Sequence, residues 1–169
     1  MSMEIWDLYY QDGTPSGRQM VRAHEIPVGL YHLVCEVLVR HTDGDYLLMR
    51  RSLSKDVFPG CWEATAGGAA LAGEDELTCI RRELREETGI EAENFEMVAR
   101  LMINDDTIFY TWLCVTDWDK TAVTLQEGET DGFRWVSEAE FKKFINSDCI
   151  VTTQRRRWTD WYRKMGYME

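Results

Sequence analysis

A single segment, which begins at the glycine pair Gly67-Gly68, most constrains the fold of this chain. Up to these glycines the sequence is rich in β-forming residues, whereas the apolar residues beyond them recur at the spacing of one helix face. Those apolar residues are Leu77, Ile80 and Leu84. The spacing predicts an amphipathic helix over residues 75–88, with Asp75 as its N-cap and Gly89 in the left-handed conformation that ends a helix.

Strand signals lie on both sides of this helix. The strands predicted from β-rich runs cover residues 4–10, 31–40, 46–50, 96–103, 108–116 and 133–136, and two further helices cover residues 137–145 and 152–165. A turn is predicted over residues 12–17 and a hairpin at Asp43-Gly44. Strands and helices mixed in this order predict an α/β domain with a central mixed sheet. The length of 169 residues fits one domain, 1–169, in which residues 1–22 form an N-terminal strand-and-turn extension.

Composition excludes several classes of partner. The chain has 30 acidic and 19 basic residues and a net charge of −11, which predicts no nucleic-acid partner and no attraction to anionic membranes. No stretch approaches the ~18 apolar residues of a membrane helix. The five cysteines are odd in number and never form Cys-x-x-Cys, so they predict neither a disulfide framework nor a zinc site and indicate a reducing, cytoplasmic location.

The predicted helix carries an unusual group of carboxylates. Glu83, Glu86 and Glu87 are spaced i, i+3 and i+4, so their side chains share one face and repel one another. Oxygen ligands of this kind suit hard divalent cations such as Mg²⁺ or Mn²⁺. The alternative is a solvated, salt-bridged helix face, because arginines are interleaved with the glutamates at Arg81, Arg82 and Arg85.

The loop before the helix favours the metal site. Gly68 is followed after five residues by Glu74 and after seven more by residues 82–90, which read Arg-Glu-Leu-Arg-Glu-Glu-Thr-Gly-Ile. This pattern resembles the motif of the Nudix hydrolase superfamily at every defined position, over 23 residues from Gly68 to Ile90. The resemblance implies an α/β/α sandwich with a central mixed sheet and a loop-helix-loop motif, and it implies hydrolysis of a diphosphate linked to another moiety, X.

The resemblance also implies roles for individual residues. Glu83, Glu86 and Glu87 correspond to metal ligands, with Mg²⁺ as the cofactor and Mn²⁺ as the alternative. Arg82 corresponds to the residue that orients the carboxylates. Gly68 is expected to allow a turn that brings a backbone carbonyl towards the metal. Bound metal would neutralise the diphosphate and lower the pKa of a water for attack on phosphorus.

The carboxylate that takes the proton of this water is left open. Glu86 is one candidate. Glu129, six residues before Trp135, resembles the glutamate that often precedes the Arg-Trp-Val strand of the family, and it is the preferred extra ligand or base. Glu74 is expected to be a supporting carboxylate. The candidate catalytic residues are therefore Glu83, Glu86, Arg82 and Glu129.

A second resemblance covers the segment before the motif. Residues 50–55 and 59–62 are similar to the corresponding stretch of type 1 isopentenyl-diphosphate isomerases, which share the Nudix fold. Arg51 and Lys55 match the residues that hold the substrate diphosphate in that family, and Trp62 is expected to contact substrate. A basic surface turn is the alternative.

The isomerase chemistry is not expected here. The positions of its reactive cysteine and of one metal-binding histidine are occupied by Gly67 and Ala69, and the position of another histidine by Glu25. His32 does match a histidine of that family, but a hydrogen-bonded strand histidine is the simpler interpretation. Without the cysteine, hydrolysis is favoured over isomerisation.

The sequence does not name the X moiety. Aromatic residues on or near the predicted strands, which are Trp62, Phe109, Tyr110 and Trp112, are interpreted as core residues or as a stacking site for a nucleobase. Nucleoside diphosphate-linked molecules rank first as substrates and prenyl diphosphates second. The rival functions are an isomerase-like enzyme and a non-catalytic nucleotide-sensing domain. The run from Arg155 to Arg157 is interpreted as a solvated helix face or as a contact in a homodimer.

Overall fold

The computed structural model describes residues 3–169, so the predictions for residues 1 and 2 lie outside the described residues. Over the described part the chain forms nine strands and three α-helices. The strands are Ile5–Tyr9 (β1), Pro15–Val21 (β2), His32–His41 (β3), Tyr46–Arg51 (β4), Trp62–Ala64 (β5), Ala66–Ala69 (β6), Phe95–Ile103 (β7), Thr107–Thr116 (β8) and Thr130–Val136 (β9). The helices are Glu76–Thr88 (α1), Glu138–Ile145 (α2) and Thr152–Lys164 (α3).

Seven of the strands form one mixed sheet. Its main path is β5-β4-β3-β8-β7, with β6 paired to β3 and β9 paired to β4. The β3–β8 pair is parallel and its neighbours are antiparallel. Strands β1 and β2 form a separate antiparallel hairpin. The long strand β3 therefore lies at the centre of the sheet, where both of its faces are covered.

The helices cover both faces of this sheet. Alternate residues of β3, such as Cys35 and Val37, join the apolar core on the α1 side, while Leu38 joins the core with α2 and α3. Phe141 and Trp158 fill this second core. The predicted α/β/α sandwich with a mixed central sheet is confirmed. Within residues 3–169, no helix combines the length and the apolar character needed to cross a membrane.

Helix α1 has the ends that its sequence predicts. Asp75 accepts a hydrogen bond from the Thr78 N–H at 2.7 Å, which caps the first turn. Gly89 has a φ of 75° and donates its N–H to the Arg85 carbonyl, which ends the helix. Both ends depend on residues inside or next to the helix, so tertiary contacts are not needed to place them.

The strand predictions differ from the structure in three places. The turn predicted over residues 12–17 is shorter, because β2 already begins at Pro15. No strand is predicted where β5 and β6 lie; they have only three and four residues, and β6 contains both glycines. Strand β9 begins at Thr130 rather than at residue 133 because it pairs with β4 over that length. In each case a partner strand, rather than local sequence, fixes the boundary.

Helix α2 begins with a capping box that can be tested. The Glu140 N–H donates to Ser137 Oγ at 3.3 Å, and the Ser137 N–H donates to Glu140 Oε2 at 2.8 Å. We expect Ser137→Ala to lower the free energy of unfolding by about 1 kcal/mol in urea titrations, because one backbone donor loses its acceptor. Glu140→Gln keeps an acceptor and should stay near the wild type. A Ser137→Ala loss no larger than that of Glu140→Gln would contradict this account.

Candidate active site

The glycine pair lets helix α1 approach the sheet closely. Gly67 and Gly68 pair with Glu36 and Cys35 of β3. A Cβ on Gly67 would lie 2.6 Å from the Cys35 carbonyl oxygen, and a Cβ on Gly68 would overlap the Glu83 carboxylate. Gly68 lies within strand β6, so the expected turn at this residue is wrong. Its lack of a side chain instead makes room for Glu83, while its carbonyl accepts the Cys79 thiol at 3.6 Å.

Arg82 connects the carboxylates of the motif. Its Nε and Nη2 donate to the two oxygens of Glu74 at 2.6 and 2.9 Å. Its Nη1 donates to Glu83 Oε1 at 2.7 Å and to Glu86 Oε2 at 3.2 Å, and its Nη2 also reaches the Ala69 carbonyl. Burial acts to raise the pKa of Glu74, but the hydrogen bonds from Arg82 outweigh it, and the pKa is lowered. Arg82 therefore fixes the position of three acidic side chains.

Glu87 is the buried carboxylate of this group. Its residue is only 7% exposed, and the Gly67 N–H donates to its Oε1 at 3.4 Å. Within residues 3–169 it makes no ion pair. Burial, together with the negative charges of Glu63 and Glu83, raises the pKa of Glu87 well above its usual value. Burial also raises the pKa of Glu83, although Arg82 opposes this. A carboxylate as buried as that of Glu87 needs a neighbouring cation or a proton to offset the cost of its burial.

Glu87 faces a cavity of about 190 Å³ that lies between the sheet, α1 and α3. Its apolar lining includes Val34, Cys35, Ala66 and Phe109. Its charged lining consists of Glu36, Glu63, Glu87, Glu129, Arg51 and Arg157. These side chains come from β3, β5, α1, the loop just before β9, the end of β4 and α3, so many elements of the fold contribute to one acidic site.

Glu63 is a residue of this cavity that the sequence did not single out. It lies in the short strand β5, and both of its carboxylate oxygens accept from Arg51 Nη1, at 3.3 and 3.4 Å. Burial raises the pKa of Glu63, with Arg51 acting in the opposite direction. The available signal was a lone acid in an otherwise uncharged stretch, residues 62–66.

The expected phosphate-binding residues Arg51 and Lys55 are both in ion pairs with carboxylates that line this cavity. Arg51 lines the cavity and holds Glu63. Lys55 Nζ lies 2.5 Å from Glu129 Oε2, which places Glu129 at the cavity beside the loop. Arg51 Nε also donates to the Val57 carbonyl at 3.0 Å, which anchors that loop. The structure thus brings Arg51 and Glu129 to the same cavity as Glu87, and Lys55 is bound to Glu129.

Trp62 is not brought to this cavity. Its ring lies under the Arg134 guanidinium, 4.4 Å from its centre, and packs against the core on the α2 and α3 side. The next residue, Glu63, faces the cavity instead, because successive side chains of a strand point to opposite faces. The expected substrate contact of Trp62 therefore has no support in the geometry.

Helix α3 contributes a residue to the cavity, and the interpretation of this residue as part of a solvated helix face was wrong. Arg157 does not lie on a solvated face but binds the buried Glu36, with Nε–Oε1 and Nη2–Oε2 distances of 2.9 and 2.7 Å. Its guanidinium lies over the Phe109 ring at 4.3 Å. The signals in the sequence were an acid inside the apolar β3 run and the i, i+3, i+4 spacing of Gln154, Arg157 and Trp158.

The remaining candidates are structural. Tyr110 and Trp112 belong to the core on the α1 side, and Phe109 lines the cavity. His32 stacks on Trp6 with ring centres 4.5 Å apart, and its Nε2 lies 2.9 Å from Thr107 Oγ1. This is the hydrogen-bonded strand histidine favoured by the sequence.

The donor set fits a hard divalent cation. Glu83 and Glu86 point towards Arg82 and Glu87 towards Gly67, so the part of the chain that the structure describes shows no three ligand side chains already converged on one point. All of the donors are oxygens, as Mg²⁺ and Mn²⁺ prefer. The uncompensated carboxylate of Glu87 supplies the buried negative charge that such a cation would neutralise.

Comparison with known proteins points to a single family. Residues 30–161 match the model of the NUDIX domain. An uncharacterized Nudix hydrolase of Listeria monocytogenes is 29% identical over 88% of this chain and 89% of that protein. The Nudix hydrolase YfcD of Salmonella typhi is 30% identical over 82% of this chain and 75% of its own length.

Solved structures share the fold. DR0079 from Deinococcus radiodurans superposes with a TM-score of 0.67 at 21% identity, over 86% of this chain and 90% of that one. The NUDIX domain of Shewanella oneidensis NrtR, solved with ADP ribose, gives a TM-score of 0.55 at 16% identity, over 72% of this chain and 80% of that domain.

Proposed function

The chain belongs to the Nudix hydrolase family, and on this premise we propose that it hydrolyses a diphosphate linkage in a nucleoside diphosphate-linked or related small molecule with Mg²⁺ as cofactor. One observation carries the proposal: Glu87, a buried carboxylate with no cationic partner among residues 3–169, shares a cavity with the two arginines Arg51 and Arg157. A metal at the acids and a phosphate at the cations would satisfy both charges.

The metal would be held by Glu83, Glu86 and Glu87 together with the carbonyl of Gly68. When bound, it would supply charge neutralisation and a water of lowered pKa. Arg82 would position Glu83 and Glu86 for this role, since its Nη1 donates to both carboxylates. Mn²⁺ has the same preference for oxygen ligands and is the alternative metal.

A nearby carboxylate would take the proton of this water. Glu129 lines the cavity and is held by Lys55, whereas Glu86 is half-exposed and held by Arg82. Glu129 is therefore the preferred base or additional ligand, and Glu86 is the second candidate. Arg51 and Lys55 would bind the diphosphate, for which they must leave Glu63 and Glu129.

Isomerase chemistry lacks a suitable thiol. Cys35 lines the cavity, but its contact with Cys79 and its burial raise the pKa of its thiol, which stays protonated. The similarity of residues 50–62 to isomerases therefore bears on how diphosphate is held rather than on the reaction. Among substrates, nucleoside diphosphate-linked compounds rank first, and ADP ribose, the ligand of the NrtR domain, is one of them.

A substrate panel tests the proposal. Nucleoside di- and triphosphates, ADP ribose, nucleotide sugars and prenyl diphosphates are incubated with Mg²⁺, Mn²⁺ or EDTA, and the phosphorylated products are separated and quantified. We expect hydrolysis only with divalent metal, and a kcat loss of about 10²–10⁴-fold in Glu129→Gln if it is the base. Glu91→Gln is the control, because it removes an exposed carboxylate outside the cavity.

Three results would contradict the proposal. Full turnover in EDTA would exclude the metal, and equal turnover in the wild type, Glu86→Gln and Glu87→Gln would exclude the site. Tight nucleotide binding without turnover under either metal would favour the sensing domain instead.

A further inference from the structure

The buried Glu36 cannot serve as a metal ligand, because both of its oxygens are already occupied. Oε1 accepts from Arg157 Nε at 2.9 Å and from Trp158 Nε1 at 2.7 Å. Oε2 accepts from Arg157 Nη2 at 2.7 Å and from Gln154 Nε2 at 3.4 Å. Four donors on a residue that is 4% exposed leave it no free acceptor capacity. The role left to Glu36 is to hold Arg157.

Arg157 is held in place by its ion pair with Glu36, but this pair occupies only one edge of its guanidinium. The Nε and Nη2 edge of the guanidinium faces Glu36, and the plane packs over the Phe109 ring at 4.3 Å. Within residues 3–169, Nη1 has no hydrogen-bond partner, and the side chain lines the cavity. The edge formed by Nη1 and Nη2 is therefore a rigid pair of donors with no acceptor of its own.

The two cations expected to bind phosphate, Arg51 and Lys55, differ from Arg157 in how they are paired. Arg51 is bound to Glu63 and Lys55 to Glu129, and both must break an ion pair before they bind another anion. Arg157 needs no such rearrangement, because its ion pair and its free edge are on different sides of the guanidinium.

We propose that the free edge of Arg157 binds the oxygens of the substrate's diphosphate, with Glu36 as the positioning residue that aims it. This inference rests on the proposed function and adds a phosphate-binding residue from α3. A planar fork of donors matches two phosphate oxygens. The cavity volume of about 190 Å³ is below the ~300 Å³ at which drug-sized ligands begin to fit, which favours a compact phosphate over a nucleoside at this position.

The test measures binding of methylenediphosphonate, which cannot be hydrolysed, in the presence of Mg²⁺ by titration calorimetry. Arg157→Lys keeps the positive charge beside Glu36 but loses the fork, so we expect the Kd to rise about 10-fold. Arg157→Gln should raise it at least as much. Arg156→Lys and Arg156→Gln are the matched controls, since Arg156 is exposed on the same helix and should leave the Kd unchanged. Thermal unfolding of each variant checks that it is folded.

Two outcomes would overturn the inference. One is that the wild type does not bind methylenediphosphonate, or that both Arg157 variants bind it within about twofold of the wild type. The other is that the Arg157 variants still bind methylenediphosphonate but no longer discriminate between substrates with different nucleosides, which would place the X moiety at Arg157. Failure of the proposed function is separate, because a wild type that hydrolyses nothing but binds diphosphonate through Arg157 would overturn only the hydrolysis.

Discussion

Replacing Glu87 by glutamine is expected to lower turnover by about 10³-fold, which corresponds to ~4 kcal/mol of transition-state stabilisation, while raising the stability of the metal-free protein. The first effect follows because the neutral amide would lack the charge that binds the metal. The second follows because burial penalises the Glu87 carboxylate, and no ion pair within residues 3–169 compensates it. The gain in the free energy of unfolding should be about 1 kcal/mol.

The two readouts together separate a functional residue from a structural one. If Glu87 stabilised the fold, its substitution would lower the stability of the protein. If Glu87 instead binds a metal, its substitution raises the stability of the metal-free protein. Urea unfolding in EDTA and steady-state kinetics in Mg²⁺ measure the two quantities. Glu91→Gln, an exposed acid just beyond α1, should change neither. A Glu87→Gln protein that is both less stable and fully active would show that the site is misassigned.

Replacing Arg82 by methionine should have the opposite effect on stability, with a loss of about 3 kcal/mol in the free energy of unfolding. The substitution leaves the Glu74 and Glu83 carboxylates, whose side chains are 14% and 13% exposed, without their cation. It also leaves the Ala69 carbonyl without a donor. Mg²⁺ should restore part of the loss by replacing the missing charge at Glu83, so the difference from wild type should shrink as the metal is titrated.

The matched control for this prediction is Arg85→Met. Arg85 lies on the same helix, is exposed and makes no ion pair within the described residues 3–169, so its loss should cost less than about 0.5 kcal/mol. If Arg82→Met and Arg85→Met were equally stable, the contacts of Arg82 would contribute nothing to folding, and the account of Arg82 as the residue that holds the three acids would fail.

Local signals predicted the helix of the site well. The Asp75 cap, the Gly89 end and the shared face of Glu83, Glu86 and Glu87 all depend on residues a few positions apart, and the structure shows the caps as expected. Strands β5 and β6 gave no such signal, because three- and four-residue strands with two glycines acquire their conformation from β4 and β3.

The contact between Glu36 and Arg157 could not be predicted either, because it also depends on tertiary structure. Glu36 and Arg157 are 121 positions apart, and their contact depends on how α3 packs against the sheet. Taken alone, three consecutive arginines are typical of a solvated helix face, and this holds for Arg156 but not for Arg157. Glu63 was not predicted as a site residue because a single acid forms no recognisable spacing pattern. Only the β4–β5 pairing brings it to Arg51.

The bond between Glu36 and Arg157 also sets an order of events during synthesis. Strand β3 leaves the ribosome early, and its glutamate must wait for residues 154–158 before it receives its donors. Until then a carboxylate interrupts the middle of the central strand, where burial without partners is costly. All of the side-chain donors to Glu36 therefore come from α3, and a chain without this helix would leave the glutamate without them and the cavity without Gln154 and Arg157.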